Sequence, residues 1–379
     1  MWQPPWARQI PSGNELALFV GLMAGTSLDG IDAVLVDFEG AATRLLASAH
    51  VPFPAALRDE LLALNTAGPD ELHRSALAAQ ALAEAQVAAV HETLAHARAE
   101  AAGVRAIGSH GQTVRHRPEA GYTVQINHGA LLAERCGIDV VCDFRARDVA
   151  AGGQGAPLVP AFHAERFGVA GQARAVLNLG GIANLTLLGA DGSVRGFDTG
   201  PANALLDHWC ARHHGRPFDD AGRWAASGTI VQPLLAAMLA DPYFDLAPPK
   251  STGRDLFNAP WLDRHLAAHP TADPADVQAT LAELSVRTVA AALGREAPGV
   301  QRLLVCGGGA LNAHLMNRLS RLLPGVPVES TAVHGIDPTL VEAAAFAWLA
   351  RAFVERQPGN RTEVTGAAGP RILGALYPK

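Results

Sequence analysis

Two apolar hairpins, each closed by a glycine-rich turn, constrain this chain more than any other feature. The first joins residues 16–23 to 33–38 across the turn AGTSLDGID, and the second joins 175–179 to 185–188 across GGIAN. In both, strand-like runs flank residues that accept a tight turn and leave backbone N–H groups exposed. A hairpin of this kind near the start of each half of 379 residues predicts two related α/β lobes facing a common cleft. The length agrees, being roughly twice that of a common single domain.

Other elements follow from periodicity and breakers. Residues 55–65 and 71–102 have the Ala/Leu/Glu density and 3.6-residue repeat of helices. Short strands at 105–107 and 138–142 end in SHGQT and DFRARD. Residues 215–253, rich in Pro, Gly and aromatics, read as loops and short helices around a pocket. Helix is expected at 277–293 and 314–322, with the strand 302–305 entering CGGGALN between them. A last helix is expected over about 338–356, with Pro338 in its first turn and Asp337 as N-cap.

Bulk composition narrows the function classes. Hydrophobic residues at 49% and charged residues at 17% describe a folded chain, and a net charge of −6 argues against binding nucleic acid or anionic membrane through bulk charge. Cys136, Cys142, Cys210 and Cys306 form no CxxC pair and no zinc spacing, which fits reduced, buried thiols in a cytoplasmic protein. His213-His214 reads as part of a surface loop. The apolar stretch 16–23 faintly resembles a signal peptide, but Pro4, Pro5, Pro11 and Glu15 break the pattern.

Several loops carry possible chemistry. Gly25, Thr26, Ser27, Leu28, Asp29 and Gly30 form a turn whose glycines admit an anion and whose N–H and hydroxyl groups suit phosphate oxygens. Asp29 or Asp32 can hold Mg²⁺ through water. The same residues also suit any hairpin turn. Gly307-Gly308-Gly309 before Asn312 suits adenosine or phosphate, or simply a close strand-to-helix turn. Asp198, in GFDTGP, is placed either as a helix N-cap or as a carboxylate that takes a proton from water or a hydroxyl. Arg145, in DFRARD, suits a substrate carboxylate or an ion pair with a structural aspartate such as Asp148. SHGQT, with His110 and Gln112, and KSTGRD are polar loops that can contact sugar hydroxyls.

Together these motifs resemble the anhydro-N-acetylmuramic acid kinase family of the sugar kinase/Hsp70/actin superfamily. The matching stretches include GLMAGTSLDGID, SHGQTVRH, CDFRARDVAAGGQGAPLVPAFH, LNLGGIANLT, GFDTGPANALLD, KSTGRDLFN, CGGGALNAHLMNRL and GIDPTLVEAAAFAWLA, and they cover nearly the whole chain after the leader. Two departures are Ala24, where the family commonly has serine, and a longer leader at 1–14. The resemblance implies two ribonuclease-H-like (actin/hexokinase-type) lobes with ATP and Mg²⁺ between them. One lobe spans 1–148 and is completed by 357–379; the other spans 149–356. It implies phosphate contacts from Gly25 through Ile31 and Asp32 and from the second turn at Gly180 and Gly181. Gly307, Gly308, Gly309 and Asn312 then lie near the nucleoside. Asp198 is the implied catalytic base and Glu342 a substrate-contacting glutamate, with His110, Gln112 and Arg145 lining the sugar site. A homodimer is the family expectation.

The implied reaction opens a 1,6-anhydro sugar with water and phosphorylates O6. An ordinary sugar kinase with the same cleft, and a nucleotide-dependent regulator without turnover, are the two alternatives. No helix-turn-helix extension with a basic face supports a repressor.

Overall fold

The computed structural model describes residues 18–25, 28–39 and 43–379. Leu16, Thr26, Ser27 and the leader 1–14 lie outside the described residues. The strands β1 (Leu18–Met23), β2 (Gly30–Asp37) and β3 (Arg44–Pro52) form an antiparallel meander, and β4 (Val104–Ser109) pairs in parallel with β1. A separate hairpin of β5 (Gln112–Arg117) and β6 (Tyr122–Ile126) precedes β7 (Val140–Cys142), which runs parallel to β4.

The second half repeats this scheme. The strands β8 (Arg174–Leu179), β9 (Ile182–Leu188) and β10 (Val194–Pro201) form a meander. Then β11 (Arg302–Cys306) lies parallel to β8, and β12 (Val328–Ser330) parallel to β11. The last strand, β13 (Ala375–Tyr377), returns to the first sheet and pairs antiparallel with β7. The spatial orders are β13-β7-β4-β1-β2-β3 and β10-β9-β8-β11-β12. Setting β13 aside, both sheets share one order and one pattern of strand sense. These are the two related α/β units expected from the paired hairpins, and their shared order fits the ribonuclease-H-like lobes that the resemblance implies.

Apolar residues gather in three layers. One lies beneath the helix Glu71–Ala97 on the outer face of the first sheet, and one beneath the helices Asn203–His214 and Pro274–Glu296 on the outer face of the second. The third lies between the sheets. There the helices Val159–Phe167 and Val341–Val354 bury Phe162, Phe346 and Leu349 against Phe19 and Val34 of one sheet and Val176 and Leu304 of the other. The helix Val341–Val354 is apolar on nearly every face because sheets flank it on both sides. It sits so close to the first sheet that a Cβ on Gly21 would lie 1.9 Å from Ala343 O, and one on Gly108 2.0 Å from Phe346 O.

Three local expectations are corrected. The helix from Glu71 stops at Ala97, since Arg98 turns left-handed (φ 53) and Ala99 N–H donates back to Leu94 O. The last helix begins at Val341; Asp337 instead accepts from Thr339 N–H at 2.9 Å and closes the turn before it. His213 and His214 belong to the end of the helix Asn203–His214 and pack on Trp209 and Trp224, with centroids 4.0 and 4.3 Å apart.

Substituting Gly21→Ala forces a methyl group into a main-chain carbonyl and is expected to cost more than about 3 kcal/mol, visible as a large fall in Tm. Gly103→Ala, where nothing lies within 4 Å, is expected to leave Tm almost unchanged.

Candidate active site

The first glycine turn is anchored from below. Leu28 N–H donates to Gly25 O at 3.3 Å, and Leu28, although left-handed (φ 54), buries its side chain in the core. Ile31, expected near the nucleotide, is fully buried in that core and pairs with Val51, so its side chain has no face toward a ligand. Asp32 is turned onto His50 Nδ1 at 2.8 Å, while Asp29 stands exposed at the turn. Thr26 and Ser27 lie outside the described residues.

The second turn does two jobs. Gly180 O accepts from Asn203 N–H, and Gly181 O from Ala202 and Ala204 N–H, each at 3.0 Å, so its carbonyls cap the helix Asn203–His214. Its other side is open: a Cβ on Gly180 or Gly181 would meet nothing within 3.6 Å. The glycines of the triplet are not equivalent. A Cβ on Gly307 would lie 2.7 Å from Leu179 O, and one on Gly309 2.5 Å from Leu179 Cβ, which locks the triplet onto the second turn. Gly308 faces space, with Asn203 Nδ2 its nearest neighbour at 3.9 Å. Gly180, Gly181 and Gly308 thus leave a cradle of the kind an anion needs. Asn312 is the N-cap of the helix Ala313–Leu322, accepting from Leu315 N–H at 3.1 Å. That duty engages the side-chain oxygen of a residue expected to lie near the nucleoside.

Asp198 lies on β10 at a bulge, where the register shifts before Gly200. The helix behind it starts at Asn203 with Ala202 in the N-cap position, so the N-cap reading of Asp198 fails. Its Oδ2 accepts from Thr252 N–H at 3.0 Å, its own N–H donates to Lys250 O at 3.1 Å, and Tyr243 Oη donates to its carbonyl at 2.8 Å. Burial pushes this carboxyl up to about 6, against the lowering pull of the Thr252 N–H. A carboxylate held by one donor and ionising near neutrality is equipped to exchange a proton.

Glu342 opens the helix Val341–Val354. Burial raises its carboxyl, Arg145 opposes that and Asp32 adds to it, so these three charges sit in one neighbourhood. Arg145 does not present its fork to the cleft. Its Nε and Nη2 point at His110 Nε2 (3.3 and 3.0 Å), and Nη1 donates to Gly155 O at 2.9 Å. The expected grip on a substrate carboxylate is therefore replaced by internal contacts. No ion pair joins Arg145 to Asp148 either; burial together with Arg145 pushes His110 down to about 3, leaving it neutral and able to accept. Gln112 is buried on β5, and its Oε1 has no donor among the described residues.

Asp148 has a separate duty. Fully buried, it accepts from Gly155 N–H (2.8 Å), Asn360 Nδ2 (2.7 Å) and Thr365 Oγ1 (2.8 Å). It stitches the Gly-rich loop that carries Arg145's carbonyl partner to the end of the chain.

A polar row that sequence reading missed runs from Asp198 to the surroundings of Glu342. Cys306, Asn178, Asn184 and Asp198 are successive cross-strand partners on β11, β8, β9 and β10 and share one face. Cys306, Asn178 and Asn184 line a cavity of about 60 Å³ together with Glu342, Thr186 and His163. His163 Nδ1 lies 2.9 Å from Thr186 Oγ1. The signal available beforehand was two asparagines interrupting an apolar strand pair in LNLGGIANLT. Thr252 was within reach as part of KSTGRD, but its bond to Asp198 spans 54 residues and leaves no local trace.

A family model described as anhydro-N-acetylmuramic acid kinase matches residues 17–379. A curated relative of that name from Bordetella petrii is 61% identical over 95% of this chain and 96% of its own length. Relatives of the same name from Variovorax paradoxus (58% identical, covering 95% and 99%) and Cupriavidus pinatubonensis (56%, covering 95% and 98%) agree. With the matched region spanning both hairpins, the Asp198 strand and the Glu342 helix, the chain belongs to the anhydro-N-acetylmuramic acid kinase family.

Proposed function

We propose that this chain opens 1,6-anhydro-N-acetylmuramic acid with water while transferring the γ-phosphoryl group of ATP to O6, giving N-acetylmuramic acid 6-phosphate and ADP. Family membership supplies the kinase activity and its place in cell-wall recycling. The observation that carries the residue assignment is Asp198, a bulge-borne carboxyl oriented by Thr252 N–H and pushed by burial to about 6. Asp198 takes a proton from water as the water oxygen bonds to C1. The C1–O6 bond breaks, O6 bonds to the γ-phosphorus, and ADP leaves with the electrons of the broken P–O bond. Ordinary glycoside hydrolysis needs a second carboxyl to protonate the leaving oxygen; here the phosphoryl group takes that place. Glu342 orients the sugar, its charge balanced by Arg145.

The open faces of Gly180, Gly181 and Gly308 suit the ATP phosphates, and in this reading the first glycine turn supplies further phosphate contacts. A Mg²⁺ ion carried by those phosphates supplies charge neutralisation. Among the described residues no cluster of three or more His, Cys, Asp or Glu is arranged to hold a metal, so Asp29 acting through water is the protein contact in this reading. A cytoplasmic homodimer fits the reading. The described cysteines are free and buried, with burial holding Cys136 and Cys142 up at about 12, as in a reducing compartment. Among the described residues no helix is long and apolar enough to cross a membrane.

Coupled assay of ADP release, with ATP, Mg²⁺ and the anhydro sugar, is the direct test. Asp198→Asn is expected to lower kcat by about 10²–10⁴-fold with sugar binding retained; a rate near wild type removes Asp198 from the role. Because the base must be ionised, kcat/KM is expected to fall as pH drops below about 6. Reaction in ¹⁸O-water is expected to place the label at C1, whereas an ordinary kinase leaves C1 unlabelled. The same raised pKa means that the charged side chain is a burden on the fold. Asp198→Asn is therefore expected to raise Tm at pH 8, and the gain is expected to vanish at pH 3.5, where the wild-type carboxyl is neutral folded and largely neutral unfolded.

A further inference from the structure

We propose that Arg254 is a catalytic residue that meets the transferring phosphoryl group, brought there by the loop that also holds Asp198; the proposal rests on the phosphoryl-transfer reading above. The loop is tied to the base twice, by Asp198 N–H to Lys250 O (3.1 Å) and by Thr252 N–H to Asp198 Oδ2 (3.0 Å). Beyond Arg254 it is fixed again. Leu256 and Phe257 N–H donate to Gly253 O (3.2 and 3.0 Å), and Asn258 Nδ2 donates to Arg254 O at 3.1 Å. Phe257 is buried against Tyr243, Phe244 and Trp261.

On this braced backbone the Arg254 side chain is exposed. Its Nη2 lies 4.0 Å from where a Cβ on Gly181 would sit, so the guanidinium stands over the second glycine turn. One segment therefore spans from the base to the phosphate cradle.

Charge bookkeeping singles out the same residue. A triphosphate needs cations, and the chain contains two lysines, Lys250 and Lys379. Lys250 Nζ is engaged by Tyr243 O (3.1 Å) and Phe244 O (3.4 Å) and lies 4.6 Å over the Tyr243 ring. The Arg145 fork is turned onto His110 and Gly155. Arg254 has no side-chain hydrogen bond or ion pair among the described residues. The carboxylate that feels it is Asp207, on the helix capped by Gly180 and Gly181, and burial pushes Asp207 up to about 7 even so. Among the described residues no carboxylate forms an ion pair with the guanidinium, which leaves it free to meet a ligand. A planar fork matches two phosphoryl oxygens at once, and a donor aimed where charge grows in the transition state lowers the barrier.

The test compares wild type with Arg254→Ala and Arg254→Lys in the ADP-release assay. In parallel, calorimetry measures the affinity of each for Mg·ADP and for Mg·ADP with aluminium fluoride, in the presence of the anhydro sugar. For Arg254→Ala, kcat is expected to fall by about 10²–10³-fold, as when one charge-stabilising donor is removed. Affinity for ADP is expected to stay within about threefold while that for the aluminium fluoride complex falls at least about tenfold, since only the second resembles the transition state. Added guanidinium is expected to restore part of the rate, and Arg254→Lys to recover less than wild type because it lacks the fork. An Arg254→Ala variant with kcat within about threefold of wild type overturns the proposal. So does equal loss of affinity for both complexes with no rescue, which marks a structural role. A wild-type chain that releases no ADP overturns the parent reading, and the proposal falls with it.

Discussion

The backbone contact between the helix Val341–Val354 and the first sheet fixes where Glu342 stands relative to the first half. Gly21 and Gly108 let helix carbonyls approach strand backbone at distances that any side chain would forbid. The same helix presses its other flank toward the second sheet, so one element sets the spacing of both halves. Glu342 lies one residue before Ala343, whose carbonyl meets Gly21. Its position beside Asp32 and Arg145 is therefore dictated by packing, not by a flexible loop. Sites built on packed helices and strands hold geometry better than sites on loops.

Electrostatics divides labour among the buried charges. Asp148 is deeply buried yet receives three donors, and its role is architectural. Asp198 receives one and keeps a raised pKa, about 6, which is the condition for chemistry. Donor count separates the two carboxylates where burial alone does not. Arg145 illustrates the same logic from the cationic side, its fork occupied by a neutral imidazole and a carbonyl while its charge acts on Glu342.

Much of the fold was legible because local signals coincide with it. Apolar runs around AGTSLDGID and GGIAN marked both hairpins, and their repetition at the start of each half matched two sheets of one strand order. Boundaries were less legible where a backbone choice decides them: nothing in the Ala-rich run through 102 announces that Arg98 turns left-handed. In the site, Asp198 and Glu342 were readable as residues, but the row Cys306–Asn178–Asn184 that connects their surroundings is made by register across four strands. Register is a tertiary fact, and so is the burial that sends Ile31 to the core. The triplet at 307–309 looked uniform as text, whereas two glycines serve close packing and one faces the cleft.

The seam at Asp148 bears on how the molecule comes into being. Its partners Asn360 and Thr365 are separated from it by 212 and 217 residues, and β13 completes the first sheet only with residues 375–377. During synthesis the opening half waits, one strand short and with a buried acid lacking two of its donors, until residues 360–377 have emerged. Loss of residues 360–377 thus strikes the portion made first.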